Sequence, residues 1–178
     1  MSGVPDRKTL GATHDVLNQP PPFENVNLFE GDRALCEGLD REGAAGFVDA
    51  LREFGATLGS ARVFALGRDA NRYPPELRTH DRFGHRLDEV AFHPAWHEML
   101  RLAMAAQVHN LPWRARRPGG HVARSAMLSL LSQVESGSCC PITMTFACLP
   151  ALRHQPELAA EWEPLLLGTV YDTRLVPA

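Results

Sequence analysis

Apolar residues recur at helical spacing along most of this chain. The pattern is clearest in Val122, Ala126, Leu130 and Val134, which follow one another every four residues. This spacing places all four side chains on one side of a helix and predicts an amphipathic helix over the segment. Gly137 follows at a position where a helix C-terminus favours a residue free to take positive φ, so we expect the helix to end there.

The next apolar run, residues 139–149, contains no charged side chain. Ser138 stands before it as a candidate N-cap, and Pro141 falls in the first turn, where its missing N–H costs nothing. We expect Pro150 to interrupt this helix. A helix that is apolar on all sides belongs in a core, which is where this pattern places it.

Further apolar stripes predict helices on both sides of this pair. They cover about residues 32–39, 47–58, 61–73, 94–109 and 156–166. Asp32 and Ser60 are predicted N-caps. Residues 73–93 lack a clear period and are expected to form an irregular loop, with a turn at Asp81–Gly84.

Taken together, the pattern predicts an all-α fold with extended segments at both ends. Residues 1–31 are rich in Pro, Gly and Asn and predict an extended arm, because residues before proline avoid the helical region. The large side chains of Phe23 and Phe29 favour an arm that docks on another surface. Residues 32–168 make up the helical domain, and residues 169–178 are predicted to be extended.

Composition narrows the possible classes of protein. The 178 residues are 44% apolar and 22% charged, as in a soluble globular domain. The net charge of −3 gives no overall attraction to nucleic acid or to an anionic membrane. The uncharged run is shorter than the roughly 20 residues that a bilayer requires. The chain has four cysteines but no C-x-x-C pair, and its first segment has no secretory signal. Both observations predict a reducing, cytoplasmic location.

Motifs for metal, nucleotide or nucleophile chemistry are missing. His93 and His97 are four residues apart, but no glutamate base and no third ligand accompany them, so we predict no metal site. Arg114, Arg116, Arg117 and Arg124 could contact phosphate. Such a group is more often a solvated loop paired with carboxylates, and we expect no nucleic-acid binding through it.

Polar residues near the uncharged helix leave two interpretations open. Glu135 could be a helix-end carboxylate in solvent, while Thr143 and Thr145 bond back to their own helix. Alternatively, the three residues line a pocket or face another domain.

Several long strings resemble one family. They are VESGSCCPITMTFA, HNLPW upstream of it, VYDTRLVPA downstream, and two strings nearer the start, NQPPPFENVNLFEGDRALCEGLDREGA and ANRYPPELRTHDRFGHRLDEVAFHPAWHEML. Together they resemble the N-terminal helical domain of acyl-CoA dehydrogenases, in the AidB-like branch of adaptive alkylation-response flavoproteins. The resemblance covers the chain from about Val16 to its C-terminus.

The resemblance implies a part in an FAD-dependent oxidoreductase that acts on the CH–CH group of acyl-CoA. This domain would form one wall of the acyl pocket. The substrate-facing residues implied are Glu135, Thr143, Met144, Thr145 and Phe146. The family's catalytic glutamate and flavin-binding stretch match nothing here, so we expect no bound FAD and no activity from this chain alone. The remainder of the dehydrogenase, in a homo-oligomer, would be its partner.

A second hypothesis treats the chain as a standalone interaction module. It would dock a partner through Phe23, Phe29 and the segment 170–176, which have no obvious local partner.

Overall fold

The computed structural model describes residues 13–174, and within them helices predominate. In chain order the elements are α1 (Arg33–Arg41), a 3-10 turn (Ala45–Phe47), α2 (Val48–Leu58), α3 (Ala61–Arg72), β1 (Glu76–His80), β2 (Arg86–Ala91), α4 (Pro94–Ala105), α5 (Leu111–Ala115), α6 (Gly120–Val134), α7 (Cys139–Leu152) and α8 (Pro156–Leu166). The predicted all-α class is confirmed, with one hairpin added.

Local capping chemistry sets the ends of the first helices. The Asp32 carboxylate accepts a hydrogen bond from the N–H of Leu35 at 2.9 Å, and the Ser60 hydroxyl accepts one from Val63 at 3.3 Å. Both bonds satisfy amides that have no partner inside the helix. Both caps were predicted and are confirmed.

Helix α6 forms the centre of the core. It packs against α2, α3, α5 and α1, and one side of it is fully buried. The largest side chains that are almost fully buried in this core include Leu39, Leu51, Leu58, Met99, Met127, Leu130 and Leu131. Burying an aliphatic side chain of this size stabilises the fold by about 1.5–3 kcal/mol.

The described part of the N-terminal arm docks on α2 through its last residues. Leu28 and Phe29 are buried, whereas Phe23 is 71% exposed. The backbone N–H groups of Val26 and Leu28 donate to the carbonyls of Gly59 and Gly55, at 3.2 Å each. The arm therefore packs on its own domain near residue 28.

The irregular loop predicted for residues 73–93 is wrong. Strands β1 and β2 pair as an antiparallel hairpin in which Leu77 lies opposite Val90 and His80 lies opposite Arg86. A bulge interrupts the register, and Asp88 takes a φ of 53° there. Both strands are exposed, so neither has a buried side that would give alternating apolar and charged residues, and the sequence shows no strand pattern. The turn predicted at Asp81–Gly84 is confirmed by a 3.2 Å bond between Gly84 N–H and the Asp81 carbonyl.

Two predicted helix ends also need correction. Helix α4 ends at Ala105 instead of near His109, and turns lead from it into α5. Helix α7 continues through Pro150 to Leu152, although an interruption was predicted there.

Residues 167–174 follow α8 without helix or strand. Tyr171 is joined to α4 by a 2.7 Å hydrogen bond between its hydroxyl and Nδ1 of His97. The last four residues of the predicted segment lie outside the described residues.

Candidate functional site

Glu135 organises the connection between α6 and α7. Its side chain is only 3% exposed, so it is not the solvated carboxylate of the first interpretation. Its two carboxylate oxygens accept hydrogen bonds from the N–H groups of Gly137 at 2.5 Å and Ser138 at 2.6 Å. These amides lie at the start of α7, where a negative charge also stabilises the helix dipole.

This cap differs in detail from the prediction. Ser138 occupies the N-cap position, but its hydroxyl makes no cap hydrogen bond. Gly137 does not take positive φ, because α6 already ends at Val134, and Glu135 after it is extended at φ −153°. A carboxylate three residues earlier instead binds the backbone amides of Gly137 and Ser138, just before the first residue of α7.

Thr143 contacts a buried arginine. Arg124 on α6 is 6% exposed, and its Nη2 donates to the Thr143 hydroxyl at 3.0 Å. Its Nε donates to the Val108 carbonyl at 3.1 Å. Burial lowers the pKa of the Arg124 guanidinium from its ordinary value, because the charged form loses solvation.

Phe146 is half-buried in an aromatic cluster between α5, α6 and α7. Its ring centre lies 5.2 Å from that of Trp113 and 5.8 Å from that of His121. The Arg124 guanidinium carbon lies 4.1 Å from the centre of the same ring, in cation–π contact. The ring is therefore held on several sides by side chains from two other helices.

Thr145 and Met144 do not share the contacts that Thr143 and Phe146 make with Arg124. The Thr145 hydroxyl donates to the Pro141 carbonyl at 3.0 Å, a bond within its own helix. The Met144 side chain is 66% exposed. The expectation that α7 lies wholly in the core is wrong, since only Ile142 and Leu149 are fully buried and one side of this uncharged helix faces outward.

Concave surfaces occur elsewhere on the described chain. A groove of about 470 Å³ between α1 and α6 is lined mainly by small and apolar side chains, with Glu42 and His121 among its polar members. A second groove of about 340 Å³ lies between α2 and α4. None of the five predicted substrate residues lines either of these two grooves.

The arginine group predicted to be a paired, solvated loop binds backbone carbonyls. Arg114 donates to the carbonyl of Leu167, Arg116 to that of Trp113, and Arg117 to that of Gly46. The Arg117 guanidinium also lies 3.8 Å from the ring centre of Phe47. These three side chains thus hold loops in place, and Arg124 is buried apart from them.

The two histidines of the partial zinc pattern have separate partners. His93 caps α4 by accepting from Ala95 N–H at 3.2 Å, and His97 bonds to Tyr171. Within residues 13–174, no three His, Cys, Asp or Glu side chains converge as metal ligands would. In the same residues, no helix has both the length and the apolar character required to cross a membrane.

Comparison with known protein families shows which family this chain belongs to. The model of the adaptive response protein AidB N-terminal domain matches residues 18–173. The chain belongs to this family. The predicted resemblance is confirmed, and the fold described above is that of an AidB N-terminal domain.

A curated relative of this AidB N-terminal domain is "Putative acyl-CoA dehydrogenase AidB" of Escherichia coli (strain K12). The two are 48% identical over 167 residues, which cover 93% of this chain and 31% of the relative. The chain therefore spans about a third of the length of the curated relative that it matches.

Solved structures share the fold of the AidB N-terminal domain. One is Caenorhabditis elegans ACDH-11 in complex with C11-CoA, with a TM-score of 0.73 and 21% identity, covering 94% of this chain and 30% of that one. Another is the apo form of Bd2924, with a TM-score of 0.74 and 24% identity, covering 83% of this chain and 30% of that one. At these identities the likeness concerns the fold alone.

Sequence reasoning missed one polar cluster of this AidB N-terminal domain. His109 and Asn110 are fully buried, and their side chains bond to the carbonyls of Gly168 at 2.7 Å and Leu167 at 2.8 Å. They fasten the end of α8 to the turn before α5. The string HNLPW contributed only to the resemblance.

Proposed function

We propose that this chain acts as the N-terminal helical domain of an FAD-dependent acyl-CoA dehydrogenase and forms one wall of the acyl pocket. The observation that carries the proposal is the outward side of α7. An uncharged helix that presents Met144 to solvent is unusual for a surface, and an apolar acyl chain is a suitable neighbour for it.

The predicted wall residues take different parts in this proposal. Met144 is exposed and would contact the acyl chain directly, with Thr145 next to it in the chain, whereas Phe146 faces the other side of α7, toward Trp113 and Arg124. Glu135 and Thr143 already form hydrogen bonds within the chain, so they would not contact the acyl chain. They would instead fix where α7 begins and how it is rotated.

Flavin binding is assigned to the rest of the intact protein. The larger groove does not fit a dinucleotide, because it is lined with apolar side chains and Glu42, whose carboxylate would repel a diphosphate. The family's catalytic base also has no counterpart in these 178 residues. We therefore propose that the intact protein binds FAD and that this chain alone is inactive. We also propose that the intact protein is a homo-oligomer. A cytoplasmic location is in keeping with the four free thiols of this chain.

The experiment compares this chain with a longer protein that contains it. Both are purified, and their visible absorption is recorded before and after an acyl-CoA is added without oxygen. We expect a flavin band, bleached by acyl-CoA, only for the longer protein. A flavin band and acyl-CoA oxidation from the 178-residue chain would contradict the division of roles. A longer protein without flavin would contradict the proposal as a whole.

A second candidate function is the interaction module. Of its predicted docking residues, Phe29 is buried in the chain's own core and Phe23 is 71% exposed, and apolar side chains of the hairpin also favour this function. Leu77 and Phe83 are 62% and 73% exposed. Native mass spectrometry of the chain, with a dye that reports exposed apolar surface, tests this alternative. A monomer that binds no dye would exclude it.

A further inference from the structure

Arg124 is a buried cation without a carboxylate partner in the described chain. Its hydrogen bonds go to two neutral groups, the Val108 carbonyl and the Thr143 hydroxyl. Burial of a charge without an ion pair is costly, so such a residue calls for an explanation.

We propose that Arg124 is a positioning residue of the acyl wall, an inference that rests on the function proposed above. Arg124 contacts two of the five predicted wall residues, Thr143 and Phe146, both from the side that faces the core. It does not face the acyl chain itself, since its side chain is 94% covered by the protein's own atoms, leaving 6% exposed.

The geometry of the guanidinium suits this role. One edge donates to Val108, a second donor reaches Thr143, and the flat face lies over Phe146 at 4.1 Å. Three contacts in different directions fix a planar group completely. A lysine ammonium has no flat face and no fixed fork, so it reproduces only part of the arrangement.

The consequence for α7 is a defined rotation about its own axis. Thr143 and Phe146 are three residues apart and lie on the same side of the helix. A helical threonine ordinarily bonds back to its own helix, as Thr145 does to Pro141. Thr143 instead accepts from Arg124, so the contact holds this side of α7 inward and turns Met144 outward.

The test uses Arg124→Met, which keeps length and apolar volume, and Arg124→Lys, which keeps the charge. Arg33→Met is the matched control, because Arg33 is a helical arginine whose side chain is 91% exposed. The first readout is the 19F spectrum of the 178-residue chain labelled with fluorotryptophan. The chain has three tryptophans, and Trp113, which packs on Phe146, is assigned by Trp113→Phe.

We expect the Trp113 line to shift and broaden in Arg124→Met, and to a smaller extent in Arg124→Lys, while the lines of Trp96 and Trp162 stay in place. Arg33→Met should leave all three unchanged. If Arg124→Met does not fold, Arg124→Lys carries the comparison. An unchanged Trp113 line in the folded variant would overturn the inference, whatever the activity.

The second readout is acyl-CoA oxidation by the longer flavoprotein that contains this domain. Arg124→Met should raise KM by about tenfold for acyl chains long enough to reach α7 and leave kcat within about twofold, since binding to the wall is lost uniformly. An unchanged KM at every chain length would overturn the role in the wall. A wild-type protein without flavin or activity would instead refute the proposed function, and the 19F result would still decide whether Arg124 positions Phe146.

Discussion

The indole N–H of Trp113 donates to the backbone carbonyl of Phe146 at 3.1 Å. In an uninterrupted helix that carbonyl would accept from residue 150, four positions later. Residue 150 is a proline inside α7 and has no N–H to give. A side chain from α5 therefore replaces the missing helical bond, which accounts for the continuation of α7 through Pro150.

This relationship predicts coupling between Trp113 and Pro150. Trp113→Phe should destabilise the chain by about 1–3 kcal/mol, because it leaves the Phe146 carbonyl without a donor. In that background, Pro150→Ala restores an N–H and should recover part of the loss. Denaturant unfolding of the four proteins of the cycle measures the coupling, which we expect to be about 1 kcal/mol. Strictly additive effects would show that the two residues do not share this carbonyl.

The Glu135 cap predicts graded losses of stability. Glu135→Ala should cost about 1–2 kcal/mol, because two amides at the start of α7 lose their acceptor. Glu135→Gln keeps one acceptor oxygen and should cost about half as much. Glu37→Ala serves as the control, since Glu37 is exposed and only pairs with Arg33 on the surface. Equal unfolding midpoints for Glu135→Ala and Glu37→Ala would refute the cap.

His109 predicts a loss of stability at mildly acidic pH. Burial is the main cause that lowers the pKa of His109 below 6.5, and the nearby Arg114 charge lowers it further, against a hydrogen bond to Gly168 that raises it. The unfolded chain therefore binds a proton at this residue before the folded chain does. Stability should therefore fall as pH drops from 6.5 towards the lowered pKa.

His109→Gln tests this pH dependence, because it keeps an N–H donor for Gly168 but does not titrate. Its unfolding free energy should change less between pH 7 and about pH 5 than that of the wild type. His154→Gln removes an exposed histidine and should leave the wild-type slope. An identical slope in His109→Gln would mean that His109 titrates alike in both states.

Because the arm docks on α2, alanine substitutions at Gly59 and Gly46 should differ strongly in their effect on stability. A Cβ at Gly59 would lie 1.8 Å from the Val26 carbonyl oxygen, whereas a Cβ at Gly46 meets nothing within 4 Å. Gly59→Ala should therefore cost about 2–3 kcal/mol or release the arm. Gly46→Ala should change stability by less than about 0.5 kcal/mol. The measurements are the melting temperatures of both variants and the rate at which a protease cuts the arm. If the two variants behaved alike, this packing would be contradicted.

What the sequence could predict depended on whether the deciding contact was local. The caps at Asp32 and Ser60 involve residues three positions apart, and both were predicted. The continuation of α7 through Pro150 depends on Trp113, which only the tertiary fold brings close. The pattern of apolar residues contains no such information.

The candidate site shows the same division. The resemblance identified α7 as the helix of interest, and its uncharged composition was plain in the sequence. The inward contact of Thr143 and the outward position of Met144 depend on Arg124, which lies on another helix. Sequence reasoning had grouped Arg124 with three loop arginines, because neighbours in sequence are easier to recognise than neighbours in space.

The bulge at Asp88 has a consequence for how this hairpin tolerates changes in length. Beyond the bulge, His80 pairs with Arg86, so Leu87 falls on the same side of the ribbon as Leu77 and Val90. If the register of the first three pairs continued without a bulge, Leu87 would pair with His80 and move to the charged side. Deleting Asp88 would close the bulge and still keep Leu87 on the side of Leu77 and Val90, so this hairpin should tolerate the loss of one residue at that position.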